Sequence, residues 1–561
     1  MACSPDEKTG LSVRNRIRTA VETALTKAGI EGILDGIQLE RPNNPENGDI
    51  SCNVAMIAAK KLGRNPRELA EMIRDSLELG DDFIDCVEVA GPGFLNFTFS
   101  MEYLSSQVAK INSMGASYGA SDIGSGRKVQ VEYVSANPTG PLVVVAARAA
   151  AVGSSLVNIL RKTGHEVEAE YYLNDAGSQV RKLGLSLLTR FRQRIGEDVE
   201  FPEDGYPGDY LVDIAAEIPE ETGREWLDSS DENAREAFGS LALEKITAWI
   251  REDLEKFGVR FDTFFNESTL HREGGEVTEA LELYKSKEVV YEKEGAVWFR
   301  STDFGDEKDR VLVRSDGTPT YFLADAAYHL NKFRRGYDHV IDIFGPDHHG
   351  HISRLKAASA VFGADKDWLD VMTVQWVRLI EDGQQVKMSK RGGVFETLAS
   401  LVEDVGSDAS KFFFLMRKTN AHLDFNLTLA RKSTDENPVY YVQYAHARIC
   451  SVISFAADEG VKFPEDLDCV DKLGEPEEIG LIRNLVVFPQ LIEGAAEACE
   501  PHRLTTYAQE LAASFHRFYH ICRIVSNDTR LSQARLLLAA ATRIVLAETL
   551  NLLGVSAPER M

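Results

Sequence analysis

Apolar residues recur at three- and four-residue steps from 9 to 29 (Leu11, Val13, Ile17, Ala20, Val21, Ala24, Leu25), which predicts a helix stopped by Gly29. The turn cluster 43–49 follows, then a second helical stretch carrying Lys60, Lys61, Arg64 and Arg67. Residues 86–90 and 94–99 read as short strands around Gly91-Pro92-Gly93. Together these make a small α+β unit of roughly one hundred residues. Glycines at 115, 119, 124 and 126 mark a linker.

The period changes at Lys128. Residues 129–134 read as a strand, 135–141 as a tight loop, 142–162 as a long helix ended by Gly164, and 166–173 as a second strand. That is one βαβ unit, the building block of a Rossmann-like parallel sheet. An acidic, largely helical stretch covers about 176–260, and strand-like pieces return at 296–299, 311–313, 339–344 and 371–379. From about 396 onward the chain reads helical. The expected fold class is α/β: a small α+β domain (1–113), an interrupted parallel-sheet domain (114–395) and an all-α domain (396–561).

Composition agrees with several domains. The chain has 561 residues, 44% hydrophobic and 27% charged, which excludes a mostly disordered protein. Acidic residues outnumber basic ones, 88 to 62, for a net charge of −26. Such a surface disfavours a DNA coat protein or an anionic-membrane binder, and any nucleic acid must be held by a local basic face. No run of 18 apolar residues predicts a membrane span, and the N-terminus lacks a signal-peptide layout. Seven scattered cysteines without a C-x-x-C pair fit a reducing cytoplasm, with all seven expected as buried packing residues.

Four segments carry candidate chemistry. Lys387-Met388-Ser389-Lys390-Arg391-Gly392-Gly393 puts three cations and two glycines on a loop, a set that can neutralise a triphosphate. Ser135 and Asn137 stand at the carboxyl end of the first parallel strand, where ligands bind in open sheets, and the next helix offers its N-terminal amides to an anion. Tyr321 and Asp325 are four apart, so on a helix they face one way and suit a guanidinium. Asp347-His348-His349-Gly350-His351 invites a metal, but adjacent histidines diverge and no cysteine lies near, so no metal is expected.

These segments, in this order and over essentially the whole chain, resemble a class I aminoacyl-tRNA synthetase, specifically bacterial-type arginyl-tRNA synthetase. The resemblance rests on 132–141 (EYVSANPTGP), 171–177 (YYLNDAG), 315–321 (SDGTPTY), 345–350, 387–390 (KMSK) and 436–448 (ENPVYYVQYAHAR), with Asn47-Gly48-Asp49 in the first domain. It implies L-arginine bound by Glu132, Ser135, Asn137, Tyr321, Asp325 and His348. Lys387, Ser389 and Lys390 would serve ATP, with Mg2+, in adenylation. It further implies tRNA(Arg) held by both outer domains, through Asn47 and an anticodon-binding surface with Tyr440, Tyr444 and Arg448. Tyr441 and His446 are further candidates there. The expected protein is a cytoplasmic monomer with no DNA or membrane partner.

One segment departs from the resemblance. The family's first signature has histidine at 143 and 146 and glycine at 145; this chain has Val143-Val144-Val145-Ala146, with Ala149 and Ser154 where glycine and aspartate are expected. Each lost donor to a reacting phosphate typically costs about 2.7–4 kcal/mol. A branched side chain at Val145 also stands where the nucleotide would approach the backbone. His165, beyond the far end of the helix, is expected to be a surface residue rather than a substitute. The expectation is severely impaired adenylation with tRNA and arginine binding retained. The alternative is a working ligase that relies on Lys387 and Lys390.

Overall fold

A computed structural model describes residues 13–30, 32, 36–42, 44–79, 83–386, 397–464 and 467–561, with the backbone alone at 45 and 347–349. The first helix, Val13–Lys27, ends before Gly29, which takes φ +70°. It precedes a four-stranded antiparallel sheet in the order Leu39–Glu40, Ile50–Cys52, Phe94–Phe99, Ile84–Ala90. Cys86 is exposed on the edge strand, contrary to the expectation of a packing role; the six described cysteines form no disulfide.

The central sheet is wholly parallel. Its strands are β1 (Lys128–Tyr133), β2 (Glu166–Leu173), β3 (Thr263–Asn266), β4 (His339–Phe344) and β5 (Leu369–Thr373), in the order β5-β4-β1-β2-β3. Two helices matter most: α1 (Val144–Lys162) and α2 (Tyr321–Arg334). Alternation along β1 gives the two faces opposite characters. Tyr133 faces α1, and a Cβ at Gly153 would lie 2.2 Å from its ring, so only glycine fits that crossing. Gln130 and Glu132 are buried on the other side, where Glu132 meets Lys332 of α2. The sheet face under α2 is therefore polar yet buried, an arrangement stable only with complete pairing.

The stretch expected as one strand at 371–379 is two, β5 and Val377–Glu381. Val377–Glu381 pairs in parallel with Leu423–Asn426, a strand in the region expected to be helical. The remainder is a helical bundle built on α3 (Pro438–Asp458), α4 (His502–Ile521) and α5 (Thr529–Leu552), with Pro476–Val486 and Phe488–Glu497 between. The bundle also grips the first domain and the segment after it: Arg483 Nε lies 2.9 Å from Asp49 Oδ1, Asn112 donates to the Leu537 carbonyl at 3.0 Å, and, beyond that domain, the Tyr118 hydroxyl donates to the Leu485 carbonyl at 3.3 Å. Among the described residues, α1 and 476–497 are long and apolar enough to cross a membrane, but most of each is buried in the protein, as core helices are.

Lys411 joins three segments. Its ammonium donates to the carbonyls of Gly554 (2.8 Å) and Gly258 (3.4 Å) and lies 5.3 Å from the Phe257 ring centre. Burial pulls it down from 10.5 to about 8. Between those values the unfolded chain binds the extra proton, so stability rises with pH, by up to about 3 kcal/mol. Urea unfolding at about pH 7.5 and about pH 9.5 should find a gain in the unaltered chain that Lys411→Met lacks.

Candidate active site

The site forms at the carboxyl ends of β1, β2, β3 and β4, with α2 as its roof. After β1 the backbone turns sharply: Val134 and Ser135 both take left-handed conformations, φ +69° and +39°. Such residues cost of order 1–3 kcal/mol each and persist only when their surroundings hold them. Here the Ser135 hydroxyl donates to Glu132 Oε1 (2.8 Å) and accepts the Tyr172 amide (3.1 Å), while the Tyr171 hydroxyl caps the Ala136 carbonyl (2.8 Å). The turn delivers Asn137, exposed, to the mouth of the site.

Helix α1 then starts at Val144. Val143, its N-cap, is 48% exposed and offers no side-chain cap; Val144 and Ala146 are buried and Val145 half-buried. The first turn thus carries only hydrocarbon side chains, and the Ala146 amide donates back to the Val143 carbonyl at 2.9 Å. Val143 is bridged to Thr397, and the Leu398 amide donates to the Leu142 carbonyl at 2.8 Å. One turn on, the fully buried Arg148 donates to the carbonyls of Gln375, Ala421 and Lys418, each at 2.9 Å. Burial lowers its guanidinium to about 10. Arg148 therefore anchors α1 to the segments on either side of 387–396. Lys387, Ser389 and Lys390 lie outside the described residues, as does the side chain of His348, whose backbone sits in the turn Pro346–His351.

The roof carries the acids. Thr320 caps α2, with its side chain accepting the Leu323 amide, so Tyr321 opens the helix and Asp325 follows one turn later. Tyr321 is 54% exposed and its hydroxyl lies 3.1 Å from Ser178 Oγ. Asp325 makes no side-chain hydrogen bond or ion pair among the described residues; burial, with Glu267 and Glu132 nearby, pushes its carboxyl up to about 6. Glu267, just past β3, is buried and faces His271 Nε2 at 3.2 Å and the Tyr172 hydroxyl; burial raises it too. Tyr172, Phe265 and Tyr328 form the aromatic wall, with ring centres 4.5–6.1 Å apart. Among the described residues Glu267 pairs with the His271 ring and Asp325 has no direct side-chain partner, only the more distant His329 and Arg354; two such acids between aromatic faces suit a planar cation.

Glu132, expected at the ligand, is turned to its own neighbours: Oε2 lies 2.6 Å from Lys332 Nζ. Sequence reading missed Glu267, Lys332 and the Tyr172 wall. Ser178 and Asp175 open a cleft of about 890 Å³ beside the site. His165 is partly buried, bonded to Thr163 Oγ1 (3.1 Å) and facing the Leu160 carbonyl (3.2 Å) beyond the C-terminal end of α1. Among the described residues no cluster of His, Cys, Asp and Glu suits a metal.

On the bundle, α3 and α4 present a second surface. Tyr440 and Tyr444 stack nearly parallel (6.0 Å, 8°), and the Arg448 guanidinium lies 4.7 Å from the Tyr444 ring and 5.1 Å from Tyr519. These residues, with Tyr441, His516 and His520, line a cleft of about 630 Å³. His446 does not belong to it: it is buried, its Nδ1 2.8 Å from the Pro558 carbonyl. Asn47 is exposed in the turn Pro45–Asn47 of the first domain.

A parallel sheet with a polar site at its strand ends, followed by a helical bundle, is consistent with a class I aminoacyl-tRNA synthetase, and comparisons with known proteins show that class. Residues 107–423 match the class I (R) tRNA synthetase catalytic domain, 15–99 the arginyl-tRNA synthetase N-terminal domain and 442–561 the DALR anticodon-binding domain. The chain is 46% identical to an arginine–tRNA ligase of Carboxydothermus hydrogenoformans, over 98% of this chain and 99% of that protein. It is 47% identical to one from Syntrophotalea carbinolica, over 94% and 96%. The structure superposes on Thermus thermophilus arginyl-tRNA synthetase with a TM-score of 0.78 at 23% identity, covering 98% of this chain and 100% of that one, a likeness of fold. The chain belongs to the arginyl-tRNA synthetase family. Members of that family join arginine to tRNA(Arg) and use ATP as a substrate.

Proposed function

We propose that this chain holds L-arginine and tRNA(Arg) but forms arginyl-adenylate poorly, because Val143-Val144-Val145-Ala146 replaces the family's histidine and glycine signature. In the reaction a carboxylate oxygen of arginine attacks the α-phosphorus of ATP, pyrophosphate leaves, and the arginyl group then passes to a ribose hydroxyl of tRNA. The guanidinium lies between Asp325 and Glu267, beside Tyr321, with Asn137 near the amino acid's α-carbon. The phosphates of ATP, which would enter with Mg2+ as part of the substrate, would meet the start of α1, and the resemblance gives Lys387, Ser389 and Lys390 the task of serving them. The observation that carries the reading is the first turn of α1, where no side chain can donate a hydrogen bond to a phosphate oxygen. ATP affinity falls as well, since valine stands where glycine would admit the nucleotide.

The protein works as a cytoplasmic monomer, with its first domain within 1–113 and its bundle after 395, and takes no DNA or membrane partner. The aromatic cleft of α3 and α4 receives unstacked tRNA bases, and Asn47 contacts the tRNA elsewhere. Stacking on one aromatic ring is worth about 1–3 kcal/mol per base. Tyr444→Ala should therefore weaken tRNA binding about tenfold in a filter assay, with an unchanged melting midpoint.

The amides at the start of α1 and the anchored Arg148 favour a second reading, a slow but working ligase that uses the loop at 387–390. Arginine-dependent ATP–pyrophosphate exchange with tRNA present, run beside tRNA filter binding, separates the two. Binding without exchange supports the first reading, and exchange clearly above background supports the second.

A further inference from the structure

Behind the acid pocket lies a buried polar set whose members pair with one another. Glu132 gives one oxygen to Lys332 Nζ (2.6 Å) and the other to Ser135. Lys332 reaches on to Asp342 Oδ1 (2.7 Å), Asp342 Oδ2 faces His329 Nε2 (2.9 Å), and His329 Nδ1 faces the main-chain carbonyl of Asp325 (2.7 Å). Lys332 thus stands between two carboxylates, and the His329 ring links Asp342 to the main chain of Asp325. All four residues are at most 5% exposed. The set also ties the strained turn after β1 to the helical turn that carries Asp325.

We propose that Lys332 is a positioning residue that sets the charge of the arginine pocket: it withdraws Glu132 and Asp342, so that Asp325 and Glu267 alone face the cationic end of the amino acid. This rests on the arginine reading given above and deepens it. Glu132 then acts through Lys332 and Ser135 rather than by touching the guanidinium. A third free acid would either take up a proton or call for a second positive charge. With it withdrawn, the pocket matches one delocalised cation and rejects its uncharged isostere.

Calorimetric titration of the full chain with L-arginine and with L-citrulline tests this. Glu132→Gln should keep arginine affinity within about threefold, whereas a direct charged contact would cost roughly a hundredfold. Lys332→Met, which leaves two buried carboxylates without the cation they share, should lower arginine affinity at least about tenfold and narrow the arginine-to-citrulline ratio. Lys332→Met combined with Glu132→Gln and Asp342→Asn removes the stranded charges and should recover arginine affinity to within about threefold. If Lys332→Met fails to fold, the other two variants decide. A large loss in Glu132→Gln, or a folded triple variant without recovery, overturns the proposal. Undiminished arginine affinity in Asp325→Asn overturns the underlying reading, and no arginine binding by the unaltered chain overturns both.

Discussion

Replacing Val143 and Ala146 with histidine and Val145 with glycine should raise arginine- and tRNA-dependent pyrophosphate exchange by several orders of magnitude. One donor to a reacting phosphate is worth about 2.7–4 kcal/mol, or roughly a hundred- to a thousandfold. Two donors in one constellation do not simply add. Val143 is about half-exposed and gives no side-chain cap, so histidine fits there readily, whereas Ala146 is buried and a histidine at that position requires local repacking. Glycine near the start of a helix costs about 0.5–1 kcal/mol, small beside the catalytic gain. Variants carrying one histidine should recover part of the rate. An unchanged exchange rate in the folded triple variant would sink the account of the first turn of α1.

Asp325→Asn should weaken L-arginine binding about a hundredfold, with tRNA binding intact. Removing one partner of a buried charge pair typically costs about 2–5 kcal/mol. The same carboxyl gives the site a pH dependence. Burial and the nearby acids lift it to about 6, so in the empty site it loses its charge as pH falls through that value. A guanidinium requires the charged form, so arginine affinity should be level above the midpoint and fall up to about tenfold per pH step of one below it. Titration calorimetry across this range should give that profile for the unaltered chain and a shallower one, left to Glu267, for Asp325→Asn.

Much of this was legible in the sequence. The β1–α1–β2 unit follows from alternation giving way to helical spacing, and the placing of Tyr321 and Asp325 one turn apart on one helix follows from their four-residue step. What was hidden is short or distant. β3 has four residues, Thr-Phe-Phe-Asn, too few to display a period, and Glu267 immediately follows it. Leu423–Asn426 has the same length and finds its partner over forty residues upstream. Lys332 and Glu132 are 200 residues apart, beyond any local pattern. One signal did exist: an acid inside the apolar strand Val129–Tyr133 has to be paired, and only a cation from another element can pair it.

The first domain is fastened to the bundle, not only to the sheet. With Asp49 locked to Arg483 and Asn112 to the Leu537 carbonyl, the exposed turn at Asn47 and the tyrosine cleft of α3 and α4 belong to one joined body. Such a body acts as a gauge. The span between its two ends is set by protein packing before any ligand arrives. On the reading proposed above, in which tRNA meets both ends, a bound tRNA supplies the bending needed to reach them, and a change confined to 143–146 does not alter that span.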